Sequence, residues 1–212
     1  MSARELVFDP IAHRYSVRGE QLPSVTRVLK LLSSYSDAIP AAVLANKSAI
    51  GQAAHKCVEL LNERRLNPAT VHPVVSGYLD GYKRFRDERG FEPVLNETRV
   101  WHPLMRFAGT LDLLGTISGD PALVDLKCTL ELMPTVGPQT AAYQQAATET
   151  PDLDDEIREL ARVARRYCLQ LREDGTYALT PCDDPNDWRV FLAALNLYYF
   201  KVKNAKHYSH EL

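Results

Sequence analysis

Two aspartates and a lysine stand in this chain where such residues do little for a fold. Asp112 ends the run Gly109-Thr110-Leu111-Asp112, and Asp125 and Lys127 sit inside Val124-Asp125-Leu126-Lys127. Both runs read as strands, where aspartate is depleted because a buried carboxylate must find a partner. Side chains at i and i+2 of a strand share a face, so Asp125 and Lys127 stand side by side. If the two strands pair, Asp112 lies next to Asp125, and two carboxylates converge with an ammonium. Close carboxylates repel unless a cation lies between them, and hard oxygen ligands suit Mg²⁺ or Mn²⁺. An adjacent lysine can orient a water and offset charge that builds on a phosphoryl oxygen. That set fits hydrolysis of a phosphodiester better than hydride or acyl transfer, for which no GxGxxG or GxSxG run is present. A bare Asp125–Lys127 ion pair is the simpler alternative.

Two further elements flank these runs. Gly51-Gln52-Ala53-Ala54-His55 precedes them and Gln139-Thr140-Ala141-Ala142-Tyr143 follows, with Asp125 thirteen residues after Asp112. Taken in order, GxxxH, GxxD, DxK and QxxxY resemble the catalytic core of the PD-(D/E)XK nuclease superfamily, in its RecB-like branch. The opening HRYSVRGEQLPSVTRVL is also similar to the start of phage-type exonucleases of that branch.

The resemblance implies a restriction-endonuclease-like core and a metal-dependent DNA exonuclease of recombination or repair, with a phage as a candidate source. It implies that His55, Asp112, Asp125 and the backbone carbonyl of Leu126 hold one or two Mg²⁺ or Mn²⁺ ions. Lys127 would assist the attacking water, and Gln139 and Tyr143, four apart on a helix, would contact the DNA and order the active-site helix. Glu97 matches a carboxylate found before the GxxD element and is a candidate ligand for a second metal. Glu59, four residues after His55, is a candidate supporting group. DNA is the implied partner, with a recombinase or single-strand-binding protein as candidate protein partners. Two other readings stay open: a structure- or site-specific endonuclease using the same residues, and a non-catalytic DNA-binding or partner-docking module.

The elements that must position these groups are legible in the periodicity. A small hairpin is expected at 6–8 and 14–17, then a helix after Pro23-Ser24 carrying Val25, Val28, Leu29 and Leu32 on one face. A helix follows Pro40 through His55, Val58 and Leu61. A third opens at Pro73, with Val75, Tyr78, Leu79, Tyr82 and Phe85 in one stripe, and stops at Gly90. The period then changes to two through 92–114 and again in Ala122–Cys128, giving three strands. A helix spans 139–149. The segment 152–164 reads equally as a short helix or a loop entering a strand. A hairpin with Asp174-Gly175 at its tip follows. The last helix carries Trp188, Phe191, Leu192, Leu195, Tyr198, Tyr199 and Val202 as a core stripe. The expectation is a mixed α/β single domain, a central mixed sheet flanked by helices. Residues 1–35 form its N-terminal hairpin and helix, 36–150 its catalytic core, and 151–212 its C-terminal hairpin and helix.

Composition narrows the setting. The 212 residues are 45% hydrophobic and 25% charged, which excludes collagen-like and largely disordered chains. Lys and Arg number 25 against 27 Asp and Glu, so no global basic field advertises nucleic acid, although a nuclease can confine positive charge to one groove. Basic candidates for a DNA path are Arg99, Arg106, the run 83–89, Arg158, Arg162, Arg165, Arg166, Lys201, Lys203 and Lys206. The cysteines, Cys57, Cys128, Cys168 and Cys182, form no CxxC pair, so neither a zinc ribbon nor the iron–sulfur cluster of some RecB-like relatives is expected. His13, His72, His102, His207 and His210 read as structural or surface groups. No run is apolar enough for a membrane span and the polar start is no signal peptide, which gives the cytoplasm as the expected location.

Overall fold

The computed structural model describes residues 5–32 and 41–205, with side chains from residue 47 onward in the second of these segments. Lys206, His207 and His210 lie outside the described residues.

The N-terminal strands β1 (Leu6–Asp9) and β2 (Arg14–Val17) pair antiparallel as expected, but a third strand, β3 (Glu20–Leu22), extends them into a three-stranded sheet. Three residues carry too little alternation to announce a strand. The turn does it instead: Arg18 and Gly19 both adopt positive φ, the pattern of a two-residue turn whose twist matches paired strands. This small sheet buries Leu6, Tyr15, Val17 and Leu22 against Trp101 and Ala108.

Ser24 caps α1 (Val25–Leu29) by accepting from the N–H of Arg27, and a single 3₁₀ turn ends it at Leu32. Helices α2 (Ala41–Asn62) and α3 (Pro73–Arg89) follow. Pro73 opens α3 behind an N-cap contact to His72, and Gly90 closes it in the left-handed conformation, so His72 is structural. Then come β4 (Phe91–His102), β5 (Phe107–Ile117), β6 (Asp120–Lys127), α4 (Val136–Glu149), α5 (Asp155–Val163), β7 (Arg165–Leu171), β8 (Tyr177–Pro181) and α6 (Asp187–Lys203).

The main sheet runs β4-β5-β6-β7-β8 and is antiparallel except for the parallel β6–β7 pair. A parallel pair needs a crossover, and α4 with α5 supplies it. Within 152–164 this resolves Asp155–Val163 as a helix, with acidic residues in its first turn and Arg162 in its last. One face of the sheet packs against α1, α4, α5 and α6 through Phe107, Leu111, Leu114 and Leu123. The other packs against α2 and α3 through Leu113, Val124, Leu126 and Leu169. The architecture is therefore the expected mixed α/β arrangement, helices on both faces of a mixed sheet.

The stripe on α6 is only partly core. Phe191, Leu195 and Tyr198 are buried, whereas Tyr199 and Val202 are 37% and 45% exposed. Successive helical residues point about 100° apart, so Tyr198 and Tyr199 cannot both face the sheet.

Candidate active site

The site forms where the β5–β6 ladder stops. Register pairs run from Ile117↔Asp120 to Leu113↔Val124, and one step further brings Asp112 beside Asp125. There the Asp112 side chain intervenes: its Oδ2 accepts the N–H of Leu126 at 2.7 Å. Asp112 and Asp125 are 8% and 1% exposed, the burial that made them suspicious in a strand.

A helix and a strained strand position supply the rest of the first cluster. The Nδ1 of His55, on α2, lies 3.0 Å from Oε1 of Glu97 and 3.7 Å from Oδ1 of Asp112. Its Nε2 lies 3.2 Å from the carbonyl oxygen of Leu126. Glu97 holds its place with φ +41°, a conformation that costs a non-glycine residue roughly 1–3 kcal/mol and collects at functional sites. Ligand atoms of His55, Glu97 and Asp112 all lie within 4.8 Å of one another. Burial alone would lower the His55 pKa, but the Asp112 and Glu97 carboxylates outweigh it and hold the ring charged, with a pKa of about 9. The imidazolium then donates from both nitrogens, to Glu97 and to Leu126. An imidazole nitrogen and two carboxylates beside a main-chain carbonyl form a donor set that fits Mg²⁺ or Mn²⁺. The proton on His55 supplies positive charge where such an ion would supply more.

The second half faces α4. Lys127 Nζ lies 2.5 Å from Oδ2 of Asp125, an ion pair off the hydrogen-bond direction, so this buried oxygen accepts no well-aligned hydrogen bond. The other oxygen accepts from Nε2 of Gln139 at 3.0 Å, and the same amide lies 3.4 Å from the Tyr143 hydroxyl. Burial raises the Asp125 pKa to about 6 against the pull of Lys127, and raises that of Asp112 against His55. Burial works against the Lys127 ammonium, yet Asp125 and Asp112 keep it charged and push its pKa up. Tyr143 is buried and its hydroxyl pKa is raised by that burial, so its ring acts by packing and reaches the site through Gln139. The ring also explains a motif glycine: a Cβ on Gly109 would come within 2.6 Å of it.

The sequence-derived set thus splits into two adjoining groups. His55, Glu97, Asp112 and the Leu126 carbonyl meet on one side, and Asp125, Lys127, Gln139 and Tyr143 on the other, with Leu126 and the Asp112–Asp125 neighbours joining them. Glu59 makes no hydrogen bond or ion pair with either group: it pairs with Lys56 at 2.6 Å and shares with His55 and Glu97 the lining of the depression beside the first. Two supports escaped the sequence. Tyr15, on β2, shares a 2.8 Å hydrogen bond with Thr110 of the GTLD run. Arg166, read only as part of a basic run, donates to the Gly137 carbonyl and to Thr140 at the start of α4 and pairs with Asp187 at 3.1 Å, so it holds the helix that carries Gln139. Neither partnership has a local spacing signal, because the partners are 95 residues apart in one case and 26–29 in the other.

No protein-family model and no curated protein matches the sequence. Among solved structures, the chain aligns with a crystal structure of LHK-Exo in complex with dAMP, at 17% identity and a TM-score of 0.32, over 87% of this chain and 94% of that one.

Proposed function

We propose that this protein is a divalent-metal-dependent deoxyribonuclease that hydrolyses phosphodiester bonds at DNA ends, in recombination or repair. The observation that carries the reading is the convergence of the His55, Glu97 and Asp112 donor atoms within 4.8 Å, beside a buried Asp125–Lys127 pair. Exonuclease rather than endonuclease action rests on the likeness of the opening segment and the four ordered elements to RecB-like exonucleases. Every proposed site residue falls within 36–150, the segment read as the catalytic core.

His55, Glu97, Asp112, Asp125 and the carbonyl of Leu126 would hold Mg²⁺ or Mn²⁺, which when bound supplies a Lewis acid for the phosphate and lowers the pKa of water. Lys127, kept charged by its carboxylate neighbours, orients the attacking water and offsets negative charge on the phosphoryl oxygens. Gln139 fixes the Asp125 carboxylate so that Oδ2 stays turned to Lys127. Water adds to phosphorus, the bond from phosphorus to the 3′ oxygen breaks, and a 3′-hydroxyl and a 5′-phosphate result.

The test is incubation with 5′- and 3′-labelled linear single- and double-stranded DNA and with closed circles, in Mg²⁺, Mn²⁺ or EDTA. Metal-dependent release of nucleotides from linear DNA alone is expected. Cleavage of the circles would replace the exonuclease reading with the endonuclease one, and no cleavage under any condition would end both.

A further inference from the structure

We propose that the groove between α1, the β1–β2 turn and α6 holds backbone phosphates of the bound DNA strand beyond the bond being cut. The proposal rests on the nuclease reading and extends it to a second contact on the same strand.

The groove has a volume of about 370 Å³, and its lining includes His13, Thr26, Arg27, Lys30 and Tyr198. Among the described residues no carboxylate lines it. Several exposed cations elsewhere have acidic partners, among them Lys56 with Glu59, Lys83 with Asp80, Arg84 with Glu88, Arg106 with Glu20 and Arg162 with Glu159, while others such as Arg64, Arg172 and Arg189 stand apart from this groove. Among the described residues Arg27 and Lys30 have none, although both are exposed. They stand three apart on one side of α1, while Val25, Val28 and Leu29 bury the other. On a chain with net charge −2, such a groove concentrates positive potential locally. The Arg27 guanidinium lies 6.0 Å from the centre of the Tyr198 ring, a cation–π contact that positions the charge at the groove.

The groove also leads to the site. The His13 ring lies 5.9 Å from that of Tyr15, whose hydroxyl bonds Thr110, two residues before Asp112. Exposed Arg99 pairs across the sheet with Thr110 and lies 4.9 Å from the Phe8 ring, which in turn packs 5.2 Å from His13. Arg99, and beyond His13 then Arg27 and Lys30, make a succession of cations running outward from the carboxylates. Cations strung in a line suit a polyanion. A single free phosphate would call for donors converging on one point.

The experiment compares Asp125→Asn with Asp125→Asn/Arg27→Ala/Lys30→Ala. Binding of a labelled strand of roughly twelve nucleotides is measured by anisotropy over a range of salt concentrations, with a dinucleotide as the short probe. Loss of two phosphate contacts should weaken binding of the long strand and flatten its log K against log [salt] slope by about 1.5. Dinucleotide affinity should not change. Exchanging the charges in kind, Arg27→Lys/Lys30→Arg, should keep the slope and show that the effect is charge rather than misfolding. An unmoved slope in the alanine variant would overturn the groove, as would equal weakening for the dinucleotide. If the unsubstituted chain cleaves DNA while the slope stays unmoved, only the groove falls. If it neither binds nor cleaves DNA, the nuclease reading falls with it.

Discussion

The Nδ1 of His55 and the Oε1 of Glu97 meet at 3.0 Å across forty-two residues, one from a helix and the other from a strand held at positive φ. Neither position is comfortable for its owner. The histidine is charged far above its usual range, and the glutamate occupies a backbone region that prefers glycine. Both strains make sense if the space they border is built for a cation.

Metal binding should depend on that pair. Glu97→Gln preserves shape and removes charge, and it should weaken Mn²⁺ binding roughly tenfold or more, as should His55→Gln. Titration calorimetry or manganese paramagnetic resonance measures it. Wild-type affinity in both variants would remove these residues from the ligand set.

The proton on His55 gives a pH signature with a defined sign. Its folded pKa of about 9 lies above the value of about 6.5 for an unfolded chain, so it stabilises the metal-free protein fully below about pH 6.5. That contribution is lost as pH rises through 9. His55→Gln should therefore lower the melting temperature of metal-free protein at about pH 6 and do so much less at about pH 10. Because an imidazole nitrogen must shed its proton to bind metal, affinity for Mn²⁺ should also rise across this interval with proton release. Identical melting shifts at both pH values would contradict the pairing.

Asp112→Asn, Asp125→Asn and Lys127→Met should each reduce DNA hydrolysis at least about a hundredfold, with circular dichroism unchanged. Residues that act as one unit lose activity together, so the double variant Asp125→Asn/Lys127→Met should be no worse than the poorer single one. Full additivity in rate would mean the two act separately.

Gly109 and Tyr143 should be energetically coupled. A Cβ at 109 intrudes on the ring, so Gly109→Ala should cost about 1–3 kcal/mol in chemical denaturation. The same substitution in a Tyr143→Leu background should cost less, with a coupling of about 1 kcal/mol. Equal costs in both backgrounds would place the glycine's importance elsewhere.

Arg166 and Asp187 form a nearly buried pair, 12% and 9% exposed at their side chains. Arg166→Met strands the aspartate and should destabilise the protein by about 3–5 kcal/mol, whereas Arg166→Met/Asp187→Leu should recover much of it. A double variant as unstable as the single would argue against the ion pair as the cause.

What the chain alone determined follows from local physics. Alternation placed β4, β5 and β6, the Pro73 and Gly90 signals bounded α3, and aspartates inside apolar strands marked Asp112 and Asp125 as needing a partner. These depend on side-chain period, backbone conformational limits and the cost of burying a charge, all written within a few neighbouring residues. What only the tertiary structure decided depends on partners far away in sequence. Strand β3 exists because a neighbour pairs with it, and α5 is a helix because the parallel β6–β7 pair needs a crossover. Glu97 takes a left-handed φ in the middle of a strand, and the end of α6 runs out past its core contacts. The division of the site into a His55 half and a Lys127 half arises because the Asp112 carboxylate captures the Leu126 amide where the β5–β6 ladder ends. No residue spacing encodes that hydrogen bond, since it forms only after two strands have been brought together.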